Sequence, residues 1–327
     1  PYTNYIPASD IDEYEFQTTG KYGGIGATIG EKDGHVFIRQ PYEGSPAQKT
    51  GLLSGDTIIE VDGKSAINKN TEDIRQILLG QPNTLVTIKI KRAITNEELT
   101  FKFNREEISI ANVPYYGMLK GDVGYIRLDQ FTEDASLNVA NALKDLKASN
   151  TLKGIVLDLR NNPGGLLQEA IGLCNVFIDK GLEVVETKGK VQDVNKKYLT
   201  TSKAVDTETP LVILINEGSA SASEIVSGVI QDYDRGLVIG QRTFGKGLVQ
   251  IPRPLPYKSR LKVTAYKYYI PSGRCIQAID YSNRNEDGEA PVIADSLRKV
   301  FYTKIGRPVK DGAGIEPDMK LEEEIFA

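Results

Sequence analysis

The sequence predicts an α/β fold in two parts: a small β-rich module, then a core of alternating strands and helices. Three observations predict it. The texture changes near residue 110, from short alternating strands with Gly turns to longer strand and helix segments. The second half repeats strand, helix, strand, which implies βαβ crossovers and a largely parallel sheet covered by helices. The chain has 327 residues, and at about 150 residues per domain that suggests two domains. The resulting layout is an N-terminal segment (1–20), the β-rich module (21–107) and the core domain (108–327).

Within the module, strand-length apolar segments run from Ile25 to Ile29, Val36 to Ile38, Thr57 to Val61, Leu85 to Ile90 and Leu99 to Phe103. Turn chemistry such as Asp33-Gly34, Ser54-Gly55-Asp56 and Asp62-Gly63 separates them. Thr71 to Leu79 reads as a helix, with Ile74, Ile77 and Leu78 at helical spacing. In the core the order is strand Tyr125–Leu128, helix Ala135–Ala148, strand Ile155–Leu159, helix Leu166–Ile178, strand Leu211–Ile215, helix Ala222–Gln231 and strand Leu237–Ile239. Residues 186–209 are polar and weakly patterned, so they read as a mobile excursion or lid. Residues 281–314, rich in Asn, Asp, Gly and Arg, read as a long surface insertion.

Composition removes several function classes. Lys and Arg number 40 against 44 Asp and Glu, a net charge of −4, so nothing asks for a nucleic acid or another polyanion. A single histidine, His35, and two cysteines, Cys174 and Cys275, cannot build a zinc cluster, so no metal is expected. Cys174 lies among Leu173, Val176 and Phe177, which favours a buried free thiol over a disulfide. The longest apolar run, Leu211–Ile215, is far short of the roughly 20 residues of a membrane span. The chain starts at Pro1-Tyr2-Thr3 without Met, which reads as processed or trimmed.

Four segments carry chemistry. The run Gly23-Gly24-Ile25-Gly26-Ala27-Thr28-Ile29-Gly30 lacks the spacing of a dinucleotide loop and leads into a strand, so no nucleotide cofactor is expected. It reads as a tight turn, or as amides free to receive a carboxylate beside a strand edge. Leu157-Asp158-Leu159-Arg160-Asn161-Asn162-Pro163-Gly164-Gly165 is a strand breaking at a turn; it is an ordinary βα turn, or one whose amides stabilise an oxyanion. Asn216 to Glu224 links a buried strand to a helix. Ser221 with Glu224 forms a capping box there, or Ser221 is a nucleophile at the positive end of a helix dipole. His35 lies in the module beside the Asp33-Gly34 turn and reads as a surface residue, so the base for Ser221 is something else, and lysine is the available alternative. Lys246, in Thr243-Phe244-Gly245-Lys246-Gly247-Leu248-Val249-Gln250, is that base or a solvated loop lysine.

The linked motifs Gly23 to Ile29, Ser45-Pro46-Ala47, Gly51-Leu52, Gly55-Asp56-Thr57-Ile58-Ile59 and Val61-Asp62-Gly63 resemble a PDZ domain. That resemblance implies binding of free protein C-termini, with Gly24, Ile25 and Gly26 as the carboxylate loop. Gly218 to Glu224, Phe244 to Gly247 and Gln250 together resemble the carboxyl-terminal processing proteases, PDZ-containing serine peptidases with a Ser/Lys pair. The resemblance implies a ClpP/crotonase-like sheet, Ser221 as nucleophile, Lys246 as general base and Gln250 orienting the lysine. It also implies oxyanion amides from Gly164 or Gly165 with Ala222, no cofactor, and protein or peptide substrates with free C-termini.

The family's usual helical segment ahead of Pro1 is missing here, so a homo-oligomer or regulatory partner stays open, and membrane association would need a segment outside this chain. Family location implies the cell envelope, periplasmic or extracytoplasmic. Lys246 and Gln250 touch only across a turn or bulge, because four residues of extended strand span about 13 Å. Two rival readings are a PDZ adaptor on an inactive core and acyl-CoA chemistry on a crotonase-like sheet. Inactive relatives are expected to lack Ser221 or Lys246, and both are present.

Overall fold

The computed structural model describes residues 2–190, 195–285 and 287–322. The chain divides into two units: residues 20–110, and residues 1–19 with 111–327. The N-terminal segment, with β1 (Asn4–Ile6) and α1 (Ile11–Thr19), therefore belongs to the larger unit.

The smaller unit comprises β2 (Lys21–Gly24), β3 (Ala27–Lys32), β4 (His35–Pro41), α2 (Pro46–Thr50), β5 (Thr57–Val61) and β6 (Lys64–Ser65), then α3 (Thr71–Leu78), β7 (Leu85–Lys91), β8 (Glu98–Asn104) and β9 (Glu106–Ser109). One sheet runs β3-β4-β5-β7-β8 with β6 on β5, and β2 pairs with β9. Alternation sets its core: Val86, Ile88 and Ile90 of β7 point inward to meet Val36, Ile38, Ile58 and Val61, and α3 adds Ile74 and Leu78. The α3 start is fixed by Asn70, whose Oδ1 accepts the Asp73 N–H at 2.8 Å. Gly51, at φ 94°, ends α2.

The larger unit continues with β10 (Tyr115–Leu119), β11 (Val123–Arg127), α4 (Ala135–Ser149), β12 (Gly154–Asp158), α5 (Leu167–Phe177), β13 (Glu183–Gly189), β14 (Lys196–Leu199), β15 (Leu211–Ile215), α6 (Ala222–Asp232) and β16 (Leu237–Gly240). It ends with β17 (Leu248–Pro254), β18 (Arg260–Tyr269), β19 (Val300–Tyr302), β20 (Pro308–Lys310) and β21 (Met319–Lys320). The main sheet runs β10-β11-β12-β15-β16-β21, parallel from β11 onward with β10 antiparallel. A second, antiparallel sheet runs β1-β18-β13-β14, with β17 on β18. Helix α6 packs on α5, β13 and β16, and each of its residues from Ala222 to Asp232 is buried. Its first turn thus sits in the interior.

Residues 186–209, expected as a mobile excursion or lid, hold regular structure: β13 and β14 form a hairpin bonded into the second sheet through β18, although 191–194 lie outside the described residues. The polar stretch after it is anchored by the buried Asp206, which accepts from Lys147 at 2.6 Å and from the Thr209 hydroxyl at 2.6 Å. Most of the described residues between 281 and 314 are exposed, as expected of a surface insertion, but the second half is anchored at several points. Arg298, Thr303, Val309 and Ala313 are buried, because Arg298 bonds Glu316, and the backbone of Gly312 and Gly314 donates to Cys275 and Ile276. Both cysteines are free, Cys174 buried and Cys275 half-buried.

Candidate active site

Ser221 ends the connection from β15 to α6 with φ 55° and ψ −108°, a conformation that non-glycine residues rarely adopt. Its neighbours explain the strain. The hydroxyls of Ser219 and Ser223 are spent on structure, donating to the carbonyls of Leu159 at 2.8 Å and Asn162 at 2.9 Å. These bonds tie the serine turn to the turn that follows β12, and Ser221 is the half-buried one of the three.

Glu224, fully buried, holds both catalytic candidates by their backbones. Its Oε2 accepts the N–H of Ser221 at 2.7 Å and of Lys246 at 2.9 Å; its Oε1 accepts the Gly245 N–H at 2.7 Å and the Thr243 hydroxyl at 2.6 Å. Burial pushes the Glu224 carboxyl above its ordinary value, while the four donors pull the other way and fit the ionised form. Sequence reasoning saw Glu224 only as a helix cap. Tyr268 of β18 was missed altogether: its buried hydroxyl lies 2.6 Å from the Lys246 carbonyl and 3.2 Å from that of Ser221.

Lys246 is half-buried. Burial holds its amine below the ordinary lysine value, the positive charge of Lys262 acts in the same direction, and Glu224 opposes them. The Tyr2 ring stands 5.1 Å from the amine, with Tyr281 edge-on to that ring. The segment around the lysine turns at Gly245, at φ 88°, where a Cβ would lie 2.4 Å from that of Ala278. Gln250 lies on β17 opposite Thr264, after a register shift between Val249 and Gln250. Its amide donates to the Leu248 carbonyl at 3.2 Å, so the structure does not hydrogen-bond it to Lys246.

Of the oxyanion candidates, the N–H groups of Gly165 and Ala222 have no partner among the described residues. The Gly164 N–H is already given to the buried Asn162 side chain at 2.9 Å. Gly164 instead supplies closeness: at φ 95°, a Cβ there would lie 2.9 Å from the Ser221 Cβ and 2.6 Å from the Ala220 carbonyl. Asp158, at the end of β12, is also spent, held by Arg160 at 2.6 Å and by the Tyr125 hydroxyl at 2.7 Å. A cavity of about 750 Å³ opens beside these turns, lined in part by Gly218, Thr243 and Phe244. In the smaller unit, β3 is an edge strand beside α3, and the N–H groups of Ile25 and Gly26 have no partner among the described residues. Gly24 pairs with Glu106 in the β2–β9 ribbon.

Residues 122–282 match the model of peptidase family S41, and residues 37–92 match a PDZ domain. A carboxy-terminal-processing protease of Bartonella bacilliformis is 38% identical over 282 residues, 85% of this chain. The chain belongs to peptidase family S41. A probable CtpA-like serine protease of Staphylococcus aureus (strain bovine RF122 / ET3-1) is 40% identical over 281 residues, 84% of this chain. The chain spans 64% and 55% of the length of these two S41 relatives. Among solved structures, the photosystem II D1 C-terminal processing protease superposes with TM-score 0.53 at 26% identity, covering 98% of this chain and 78% of that one. An S41 protein from Bacteroides fragilis gives TM-score 0.54 at 16% identity, covering 98% and 79%, and shares the fold.

Proposed function

We propose that this S41 chain is a serine endopeptidase in which Ser221 attacks and Lys246 is the general base. In that reaction the neutral amine takes the Ser221 proton as Oγ adds to a peptide carbonyl. The resulting oxyanion accepts hydrogen bonds from Gly165 and Ala222. The protonated lysine then gives its proton to the departing amine, leaving an acyl-serine. Water, deprotonated by the same lysine, adds to the acyl carbon; the bond from that carbon to Oγ breaks, releasing the acid, and the lysine returns the proton to Ser221 Oγ. The smaller unit receives the substrate's free C-terminal carboxylate at Ile25 and Gly26, with the tail paired along the β3 edge. We propose further that it works in the cell envelope, a reading supported by the family resemblance alone.

The observation that carries this reading is the joint suspension of the Ser221 and Lys246 backbones from one carboxylate oxygen of Glu224. Asn162 and the two spent serines leave Ser221 as the hydroxyl of that turn available for attack. Gln250 keeps the proposed role of orienting the lysine through its Oε1, since its amide N–H goes to the Leu248 carbonyl and leaves that oxygen to accept from the amine. The test is degradation of an unstructured protein. Ser221→Ala is expected to stop it while Ser219→Ala and Ser223→Ala keep part of it; turnover in Ser221→Ala would exclude Ser221 as nucleophile.

A further inference from the structure

The two peptide groups that carry the proposed chemistry are braced twice. On the N–H side both hang on Glu224; on the carbonyl side both face the Tyr268 hydroxyl, at 2.6 Å for Lys246 and 3.2 Å for Ser221. The Ser221 carbonyl also accepts from Glu224 and Ile225 within its helix, so it is satisfied without tyrosine. The Lys246 carbonyl is not: the Tyr268 hydroxyl is its one donor among the described residues. The Tyr268 backbone adds a second tie by donating to the Gly247 carbonyl at 3.0 Å. Burial raises the Tyr268 phenol far above its ordinary value, so it stays a donor throughout the working pH range.

We propose that Tyr268 is a positioning residue for the reaction, holding the Lys246 and Ser221 peptide groups in one register through its hydroxyl. The proposal rests on the Ser/Lys reading above. The lysine lies between two glycines, Gly245 and Gly247, so its own backbone is permissive and its place has to be imposed from outside. Glu224 fixes the nitrogen of Lys246, and the peptide that follows is held on its N–H side by Gln277, which accepts from Gly247 at 2.8 Å, and on its carbonyl side by the Tyr268 hydroxyl; without that hydroxyl the peptide keeps one tie and tilts, carrying the amine toward water. Groups that face the amine are Lys262 on β18, Glu224 on α6 and the ring of Tyr2, on which Tyr281 packs edge-on. Releasing the amine from this setting returns it toward the ordinary lysine value, which a purely structural loss would not do.

The experiment compares Tyr268, Tyr268→Phe and Tyr268→4-aminophenylalanine, the last restoring a weaker donor in the same shape. Each protein is assayed with a fluorogenic peptide for kcat, KM and the pH dependence of kcat/KM. The expected order of kcat is tyrosine, aminophenylalanine, phenylalanine, with a loss of about 10- to 100-fold at the end and little change in KM. The rising limb of the pH profile is expected to move to higher pH in the same order. If Tyr268→Phe does not fold, the first two proteins alone decide the order. A folded Tyr268→Phe enzyme with unchanged kcat and limb overturns the proposal, as does aminophenylalanine that shows no shift when phenylalanine cannot be tested. Ser221→Ala runs alongside: its inactivity separates that failure from failure of the Ser/Lys reading, whereas its turnover overturns both.

Discussion

A lysine removes a proton only while neutral, and an ordinary lysine is neutral about once in a thousand near pH 7.4. At Lys246 burial and the charge of Lys262 both lower that barrier. In the proposed reaction the neutral form is the active one, so kcat/KM is expected to rise with pH through the lysine's lowered pKa. Lys246→Arg is expected to be inactive although it keeps the charge, since guanidinium stays protonated; measurable turnover in it would point to another base. Lys262→Gln removes the neighbouring charge, so its limb is expected to move to higher pH, and an unchanged limb would leave burial as the sole cause. Ser221 and Lys246 were legible in sequence because each sits in a short, glycine-flanked segment. Tyr268 was not legible, because it reaches the site by strand pairing from 22 residues beyond Lys246, with no local pattern to mark it. Glu224 was half legible: the capping spacing showed its bond to Ser221, but not the three donors that fold back from Thr243 to Lys246.

Strands β11, β12, β15 and β16 of the main sheet were readable from their apolar runs, whereas β10, β21 and the second sheet were not. Its strand β18 is half-buried along most of its length, and β17 contains Pro252 and Pro254, so neither shows clean alternation. The polar stretch after β14 is fixed by an acid whose strength can be tested. Burial alone would raise the Asp206 carboxyl, but Lys147, Thr209 and the amides of Glu208 and Thr209 outweigh it and hold the value at about 2. A depressed carboxyl stabilises the fold above its unfolded value near 4 and loses that contribution as pH falls through about 2. Asp206→Asn is therefore expected to lose about 2 kcal/mol at pH 7, with the gap to wild type closing between about pH 4 and 2. Denaturant titrations at several pH values measure it; a gap independent of pH would mean packing, not charge, holds the stretch. Gly164 is the corresponding test on the oxyanion turn. Gly164→Ala adds a methyl against the Ala220 carbonyl at a left-handed backbone position, so a loss of more than about 2 kcal/mol is expected, read as a lowered Tm.

For the whole molecule, the sequence showed both parts but set the N-terminal segment apart from them, since nothing in Asn4–Ile6 announces that it will pair with β18. Residues 20–110 have the means to fold alone. Their cluster of 13 buried apolar residues is separate from that of the larger unit, and the β2–β9 ribbon closes the ends of the segment on each other. That independence makes tail recognition testable without the catalytic unit. Gly26 has φ 74°, and a Cβ there would lie 2.4 Å from that of Ser45, so the loop is held tightly while its amides and that of Ile25 stay unspent. Two N–H groups at the mouth of an edge strand suit a carboxylate, whose charge roughly doubles the strength of such bonds relative to a neutral acceptor. An amidated C-terminus offers one neutral carbonyl and adds an N–H that faces like groups. Calorimetric titration of the isolated unit with one apolar-ended peptide, as free acid and as amide, is expected to show at least about tenfold weaker binding for the amide, the difference that about 1.4 kcal/mol produces. Raising salt is expected to shrink the gap only modestly, because the contacts are short and partly shielded. Equal affinity for the two peptides would remove the carboxylate loop from the reading and leave the β3 edge as a binder of internal segments.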